Sequence, residues 1–130
     1  HMLLCLPYKL GGYAIRWPNL NQPLPGTEGS SGRPMRCDML WPRERLALEY
    51  DSDMFHSDES RQNRDADRRI RLERLGLHVI PIRRAQVMNA NKFDRLAMML
   101  VERTGKRHDP CPDWPLRRYE LRQWMFPWIK

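Results

Sequence analysis

The stretch that decides the fold runs from Met35 to Asp51 and reads MRCDMLWPRERLALEYD. Apolar residues recur in both of its halves, and Pro42-Arg43-Glu44 between them is typical of a tight turn. We therefore predict two antiparallel strands, residues 35–41 and 45–51, that form a hairpin.

Three acidic residues are expected to converge at the end of this hairpin. Side chains alternate along a strand, so Glu49 and Asp51 share one face. The opposite face takes Leu46, Leu48 and Tyr50. The turn brings Asp38 near Glu49. Converging carboxylates repel one another and are costly to bury without a cation, which favours a hard divalent metal with oxygen ligands. The alternative is that they are ordinary strand-end carboxylates.

Composition favours one domain with an anionic partner. The 130 residues carry a net charge of +7, and nucleic acid is the leading candidate for the partner. The three cysteines, Cys5, Cys37 and Cys111, lack metal-type spacing and fit a reducing cytoplasm. No apolar run approaches the roughly 20 residues that span a bilayer, so we expect a cytoplasmic protein without a membrane partner.

The flanking sequence predicts an α/β (α+β) fold with a mixed sheet. Before the hairpin we expect a short helix within residues 3–10, a strand over 13–20 and a mobile loop over 21–34. After it we expect helices over 58–75, 91–104 and 117–124, and a strand over 77–82 that Pro81 marks as an edge strand. The first of these helices is expected to pack on the sheet through Ala66, Ile70 and Leu72.

That helix also carries a row of arginines at helical spacing: Arg61, Arg64, Arg68 and Arg71. The row is either a solvated, salt-bridged face or a surface that binds DNA phosphates. Both interpretations stay open at this point.

An ordered set of motifs between Met35 and Arg84 resembles the PD-(D/E)XK nuclease superfamily, and more closely its very-short-patch-repair-like endonuclease branch. The matching segments are Cys37-Asp38-Met39-Leu40-Trp41-Pro42, Glu49-Tyr50-Asp51-Ser52, Phe55-His56, Arg64-Asp65 with Arg68-Arg69, and Leu75-Gly76-Leu77-His78-Val79. The resemblance implies a restriction-endonuclease-like core, a mixed central sheet flanked by helices, and a DNA endonuclease that depends on Mg²⁺ or Mn²⁺.

The resemblance also implies roles for individual residues. Asp38 and Glu49 are the expected metal ligands, with the Tyr50 carbonyl as a backbone ligand. Asp51 either completes the metal site or positions a water molecule. His56 either transfers a proton or contacts the scissile phosphate, since an ordinary histidine pKa of about 6.5 suits both roles; the alternative for His56 is a local hydrogen bond at the helix entry.

The sequence departs from the family pattern in three ways. Asp51 stands where the superfamily has lysine, and Ser52 where glycine is common. The superfamily's opening helix is not evident, and His1-Met2 is typical of a cloning remnant. We therefore expect the chain to be truncated at its start.

Two functions remain open. One is a metal-dependent DNA endonuclease; the other is an inactive nuclease-fold module that binds nucleic acid or a protein partner within a larger regulatory or defence protein. We divide the chain into an N-terminal strand and loop (1–34), a nuclease-like core (35–104) and a basic, Trp/Pro-rich extension (105–130). The oligomeric state stays open, a homodimer included.

Overall fold

The computed structural model describes residues 1–51 and 59–128, with backbone alone for residue 51 and residues 59–65. It confirms a mixed α/β architecture. The strands are β1 (Asn19–Leu24), β2 (Met35–Trp41), β3 (Leu46–Asp51) and β4 (His78–Arg83). The helices are α1 (Met2–Cys5), α2 (Glu59–Arg74), α3 (Arg84–Met88), α4 (Ala90–Arg103) and α5 (Trp114–Met125), with short 3₁₀ turns at Tyr8–Leu10 and Gly29–Ser31.

The four strands form one mixed sheet in the order β1-β2-β3-β4. The first three run antiparallel to their neighbours, whereas β4 pairs parallel to β3. Helix α2 lies in the connection between β3 and β4, as a parallel pair requires a long crossover. Strand β4 lies at one edge of this sheet, where Pro81 can be accommodated although it donates no backbone hydrogen bond.

The predicted hairpin of β2 and β3 is confirmed. Met39 pairs with Leu48, and Trp41 pairs with Leu46. The turn covers residues 42–45, and the N–H of Arg45 donates to the carbonyl of Pro42 at 3.1 Å. Arg45 itself has a φ of +50°, a left-handed conformation that lets four residues reverse the chain.

The predicted first strand was wrong in position. Residues 13–18 form no strand; β1 begins at Asn19 and extends into the segment predicted as a loop. Ala14 has a φ of +54°, which breaks the extended backbone between buried Tyr13 and Ile15. Pro23 lies in β1, whose one neighbour in this sheet is β2, so the strand tolerates a missing donor.

The environment of β3 changes along its length. Leu46, Ala47 and Leu48 are all buried, so this half of the strand is covered on both faces. Tyr50, predicted to share the face of the leucines, is 49% exposed. The strand therefore changes from a buried to a solvent-accessible environment at Glu49, which is half-buried.

Helix α2 packs through fewer residues than predicted. Leu72 is buried in a cluster with Cys37, Leu40, Ala47 and Val79. Ala66 and Ile70 are exposed, so their predicted packing was wrong. Ile70 is two positions from both Arg68 and Leu72, about 200° around the helix, while Arg68 and Leu72 share one side.

The helices after β4 were largely predicted, except the short α3. Gln86 caps α3 by accepting a hydrogen bond from the N–H of Arg83 at 2.9 Å. Helix α4 buries an apolar side formed by Phe93, Leu96, Ala97, Leu100 and Val101. Helix α5 begins with Trp114 and Pro115, and its buried residues are Trp114 and Leu121.

The chain forms two compact units by its internal contacts: residues 18–93 on the one hand, and residues 1–17 with 94–130 on the other. The sequence-based division at residues 34 and 104 stays a prediction. Within the second unit, Trp114 donates from its indole N–H to the carbonyl of Gly12 at 2.8 Å. Gly11 has a φ of +95°, and a β-carbon there would overlap the backbone of Arg117.

A polar network lies in the same unit. The Tyr13 hydroxyl donates to the Asp94 carboxylate at 2.7 Å, and Arg118 forms an ion pair with that carboxylate at 2.7 Å. His108, predicted as a loop residue, contacts the Tyr8 hydroxyl through its ring nitrogen at 3.2 Å. None of the described helices combines the length and apolar character that crossing a bilayer requires.

Candidate metal and nucleic-acid site

Asp38 lies on β2 and Glu49 lies on β3, directly beyond the last residue pair that joins these two strands. The paired residues run from Trp41 with Leu46 to Met39 with Leu48, which places Asp38 and Glu49 at the next position along both strands. The Asp38 carboxylate accepts a hydrogen bond from the backbone N–H of Tyr50 at 2.8 Å. This contact fixes the Asp38 side chain against β3, beside Glu49.

Burial and two neighbouring charges shift the pKa of Glu49. Partial burial raises the pKa of its carboxyl group above the ordinary value, and the positive charge of Arg68 opposes that rise. The negative charge of Asp38 raises the pKa of Glu49 further. Asp38 is therefore close enough to Glu49 for its charge to affect the ionisation of that carboxyl group.

Arg68 supplies the positive charge at this site. Its Nη2 lies 3.3 Å and 3.4 Å from the two carboxylate oxygens of Glu49. The same nitrogen donates to the backbone carbonyl of Arg36 on β2. The side chain of Arg68 is 34% exposed and that of Glu49 is 19% exposed, so water screens the ion pair only in part.

Cys37 contacts Glu49 from the buried interior of the protein. Its side chain is fully buried and hydrogen-bonded to the Glu49 carboxylate. Burial, together with the negative charge of Glu49, raises the pKa of the thiol to about 11. The thiol therefore stays protonated at neutral pH and can act as a weak donor to the carboxylate.

A pocket opens where Glu49 meets helix α2. Its polar lining consists of Glu49, Tyr50, Arg68 and Arg69, and its apolar wall consists of Leu72, Val79 and Pro81. Two arginines at one side of the pocket provide donors for an anionic group, and the exposed ring of Tyr50 offers an aromatic surface. The pocket therefore has the chemistry to accept a phosphate next to an acidic residue.

The structure brings together only part of the predicted site. Asp38, Glu49, the backbone of Tyr50 and Arg68 are adjacent. Arg71 is exposed and reaches the carbonyl of Thr27 at 3.5 Å, outside the pocket lining. His56 lies outside the described residues, as do the side chains of Asp51, Arg61 and Arg64. Among the side chains that the structure describes, no three His, Cys, Asp or Glu residues assemble to hold a metal ion.

Sequence reasoning missed two contacts of Glu49. It placed Arg68 in a row of similar arginines, whereas the structure singles it out as the partner of Glu49. The signal available was the spacing of Arg68 and Leu72, which puts an arginine and a buried leucine on one side of α2. It also gave no role to Cys37, although apolar burial of a free cysteine is common.

Comparison with known proteins gives a limited match. The chain is 37% identical over 70 residues to two proteins of Mycobacterium tuberculosis, the uncharacterized protein MT2308 of strain CDC 1551 / Oshkosh and the uncharacterized protein Rv2248 of strain H37Rv. The matched region covers 54% of this chain and 25% of each mycobacterial protein, so the chain spans about a quarter of their length. No protein-family model and no solved structure matches the chain.

Proposed function

We propose that the end of the β2–β3 hairpin is the active site of a metal-dependent DNA endonuclease, which hydrolyses phosphodiester bonds. One observation carries the proposal: Asp38 and Glu49, with ten residues between them in the sequence, lie close together next to a pocket that two arginines line. A site with both signs of charge can bind a cation and a phosphate together.

The two carboxylates suit a hard divalent cation. Glu49 is partly buried, so its negative charge favours a bound cation, and Asp38 adds a second negative charge. The hydrogen bond from Tyr50 uses one of about four acceptor positions on the Asp38 carboxylate, which leaves others for a metal. We expect Asp38 and Glu49 to hold Mg²⁺ or Mn²⁺, with the Tyr50 carbonyl as a backbone ligand. The metal, when bound, would neutralise phosphate charge and lower the pKa of a water molecule.

The remaining chemistry is assigned to residues near this hairpin. Asp51 follows Tyr50 directly, and we propose that it completes the site or positions the attacking water. His56 is proposed to transfer a proton or to contact the scissile phosphate. The arginines of α2 would bind neighbouring phosphates, and Arg68 and Arg69 line the same pocket as Glu49.

A second function is favoured by the Arg68–Glu49 ion pair itself. Arg68 already offsets part of the cost of the Glu49 charge, so the fold holds that carboxylate without a metal. A nuclease-fold module that only binds DNA or a protein partner would keep this pair and need no cation. The two functions differ in one measurable property, which is whether the site binds a divalent metal.

A plasmid-nicking assay with Mg²⁺ or Mn²⁺ separates the two functions. We expect the wild type to nick supercoiled DNA, and the Asp38→Asn and Glu49→Gln variants to lose this activity because each removes a charge from the metal site. DNA binding should persist in Asp38→Asn, since the substitution removes a charge that repels phosphate. The readout is the fraction of relaxed plasmid over time.

Two exposed residues of α2 provide matched controls, Asp67→Asn and Glu73→Gln, which make the same chemical changes away from the site. Both should nick as the wild type does. If the wild type neither nicks DNA nor gains thermal stability from Mn²⁺, the endonuclease proposal is wrong and the binding module replaces it.

A further inference from the structure

The Arg68 guanidinium group occupies the position beside the Glu49 carboxylate that a metal ion bound to Glu49 would take. One of its nitrogens contacts both carboxylate oxygens of Glu49, at 3.3 Å and 3.4 Å, and also the carbonyl of Arg36. The contact with Glu49 is long for a charge-assisted hydrogen bond and uses a single nitrogen, so it lacks the two parallel bonds of the strongest arginine–carboxylate pairs. The geometry is that of a pair that can separate.

A divalent cation and Arg68 would compete for the same oxygens. Without a metal, the positive charge of Arg68 offsets the cost of a partly buried, ionised Glu49. A metal bound to Glu49 would take over that compensation. Two cations beside one carboxylate repel each other, so the arginine is favoured to move toward another anion.

We infer that Arg68 is a displaceable counter-ion of Glu49, which leaves the carboxylate when a divalent cation binds and then binds a phosphate of the DNA backbone. This inference rests on the proposed function and adds the order of events at its site. Arginine does not lose its proton, so Arg68 released from Glu49 still carries a full charge. The pocket that it lines is open to such a phosphate.

The inference predicts that metal and DNA reinforce each other's binding. Metal binding frees Arg68 for a phosphate, and a phosphate that holds Arg68 leaves Glu49 free for the metal. Because coupling between two ligands is reciprocal, metal should tighten DNA binding by the same factor by which DNA tightens metal binding. A purely structural ion pair would give no such coupling.

The first test measures metal binding without DNA. Mn²⁺ is titrated into the wild type, Arg68→Ala, Arg68→Lys and Arg69→Ala, with the melting temperature and calorimetric heat as readouts. Arg68→Ala should bind Mn²⁺ roughly fivefold more tightly than the wild type, the order expected when a partly screened ion pair no longer competes. Arg68→Lys should lie between the two.

Arg69→Ala is the matched control, because Arg69 lines the same pocket and carries the same charge. It should change Mn²⁺ affinity less than Arg68→Ala does. If both alanine variants tighten Mn²⁺ binding equally, the effect is one of general positive charge, and the displacement of Arg68 is refuted.

The second test measures the coupling to DNA. Duplex affinity is compared in EDTA and in Ca²⁺, a hard cation that takes the same oxygen ligands. In the wild type, Ca²⁺ should tighten binding and steepen its salt dependence by close to one phosphate contact, a slope of about 0.9. Arg68→Ala should lose this increment, and Arg69→Ala should keep it. An equal increment in Arg68→Ala would overturn the inference.

These outcomes separate the inference from the endonuclease proposal. Equal Mn²⁺ affinity in the wild type and Arg68→Ala, together with nicking by the wild type, refutes the displacement alone. Mn²⁺ binding that appears only in Arg68→Ala also refutes the displacement, since it shows that the cation cannot move the arginine off Glu49 in the wild type. No Mn²⁺ binding in any variant refutes both.

Discussion

Glu49 shows how a single residue can connect the core to a candidate site. Its carboxylate contacts a buried thiol on one side and a partly exposed guanidinium on the other, so it marks the boundary between core and pocket. Burial and Asp38 disfavour its ionised form, and Arg68 favours it. An added cation would favour the ionised form of Glu49 further, as the proposed metal site requires.

At the residue scale, the raised pKa of the Cys37 thiol predicts that the stability of the protein depends on pH. An unfolded thiol loses its proton near the ordinary pKa of 9.0, whereas the folded Cys37 keeps it until about pH 11. The unfolded state therefore binds fewer protons between these values, so stability falls as pH rises from 9 to 11. We expect the wild type to lose melting temperature over this range, and Cys37→Ala to lose less.

The matched control is Cys111→Ala, which removes a half-buried loop thiol whose pKa is also raised, but mainly by its hydrogen bond with Asp113. Cys5, with a pKa also raised to about 11 by burial, contributes the same sign of pH dependence in every variant. Melting temperatures measured at half-unit pH steps provide the comparison. An alkaline slope in Cys37→Ala equal to that of the wild type would contradict the burial of this thiol.

At the scale of elements, the rotation of α2 decides what the helix contributes. Leu72 faces the core and Ile70 is 49% exposed, although both are apolar and two residues apart. We expect Leu72→Ala to destabilise the protein by about 2–5 kcal/mol, because it leaves a cavity among buried side chains. Ile70→Ala should cost less than about 1 kcal/mol. Urea unfolding measures both; equal losses would mean that α2 is rotated from the described orientation.

The sequence predicted most elements because local signals agree with the fold. Alternation and a turn defined β2 and β3, and Gly76, with a φ of +84°, lies just beyond α2 as predicted. Strand β1 was missed because Asn19–Leu24 holds polar residues and a proline, and its extended backbone depends on pairing with β2. The thin apolar content of α2 left its rotation undefined, and the spacing of Arg68 and Leu72 was the one signal that placed this arginine on the side of the core.

At the scale of the whole molecule, most of the net positive charge lies outside the unit that contains the candidate site. Asp38, Glu49, Arg68 and the pocket all belong to residues 18–93, which carry 13 basic and 11 acidic residues. Residues 1–17 and 94–130 carry ten basic and five acidic residues, and so contribute most of the net charge of +7. DNA affinity is therefore expected to depend on both units, whereas the proposed chemistry depends on one.

Measuring DNA affinity at increasing salt concentration tests whether both units contribute to DNA binding. We expect affinity to fall steeply with salt, and the Arg61→Ala/Arg68→Ala double variant to lower the slope by up to about two phosphate contacts. Arg103→Ala/Arg107→Ala, a pair of exposed arginines of the other unit, should lower the slope while leaving nicking by bound protein unchanged. A slope that neither pair alters would show that DNA phosphates contact other residues.

The parallel pairing of β4 has a consequence for the order in which the chain folds. Four residues separate β2 from β3, but 26 separate β3 from β4, so the hairpin closes a small loop and the last strand a large one. We expect Val79→Ala in β4 mainly to speed unfolding, and Leu40→Ala in β2 mainly to slow folding, as stopped-flow rates in urea would show. The reverse pattern would place β4 in the folding nucleus. Since Val79 and Pro81 line the pocket, a nascent chain would bring Asp38 and Glu49 together before the pocket has formed.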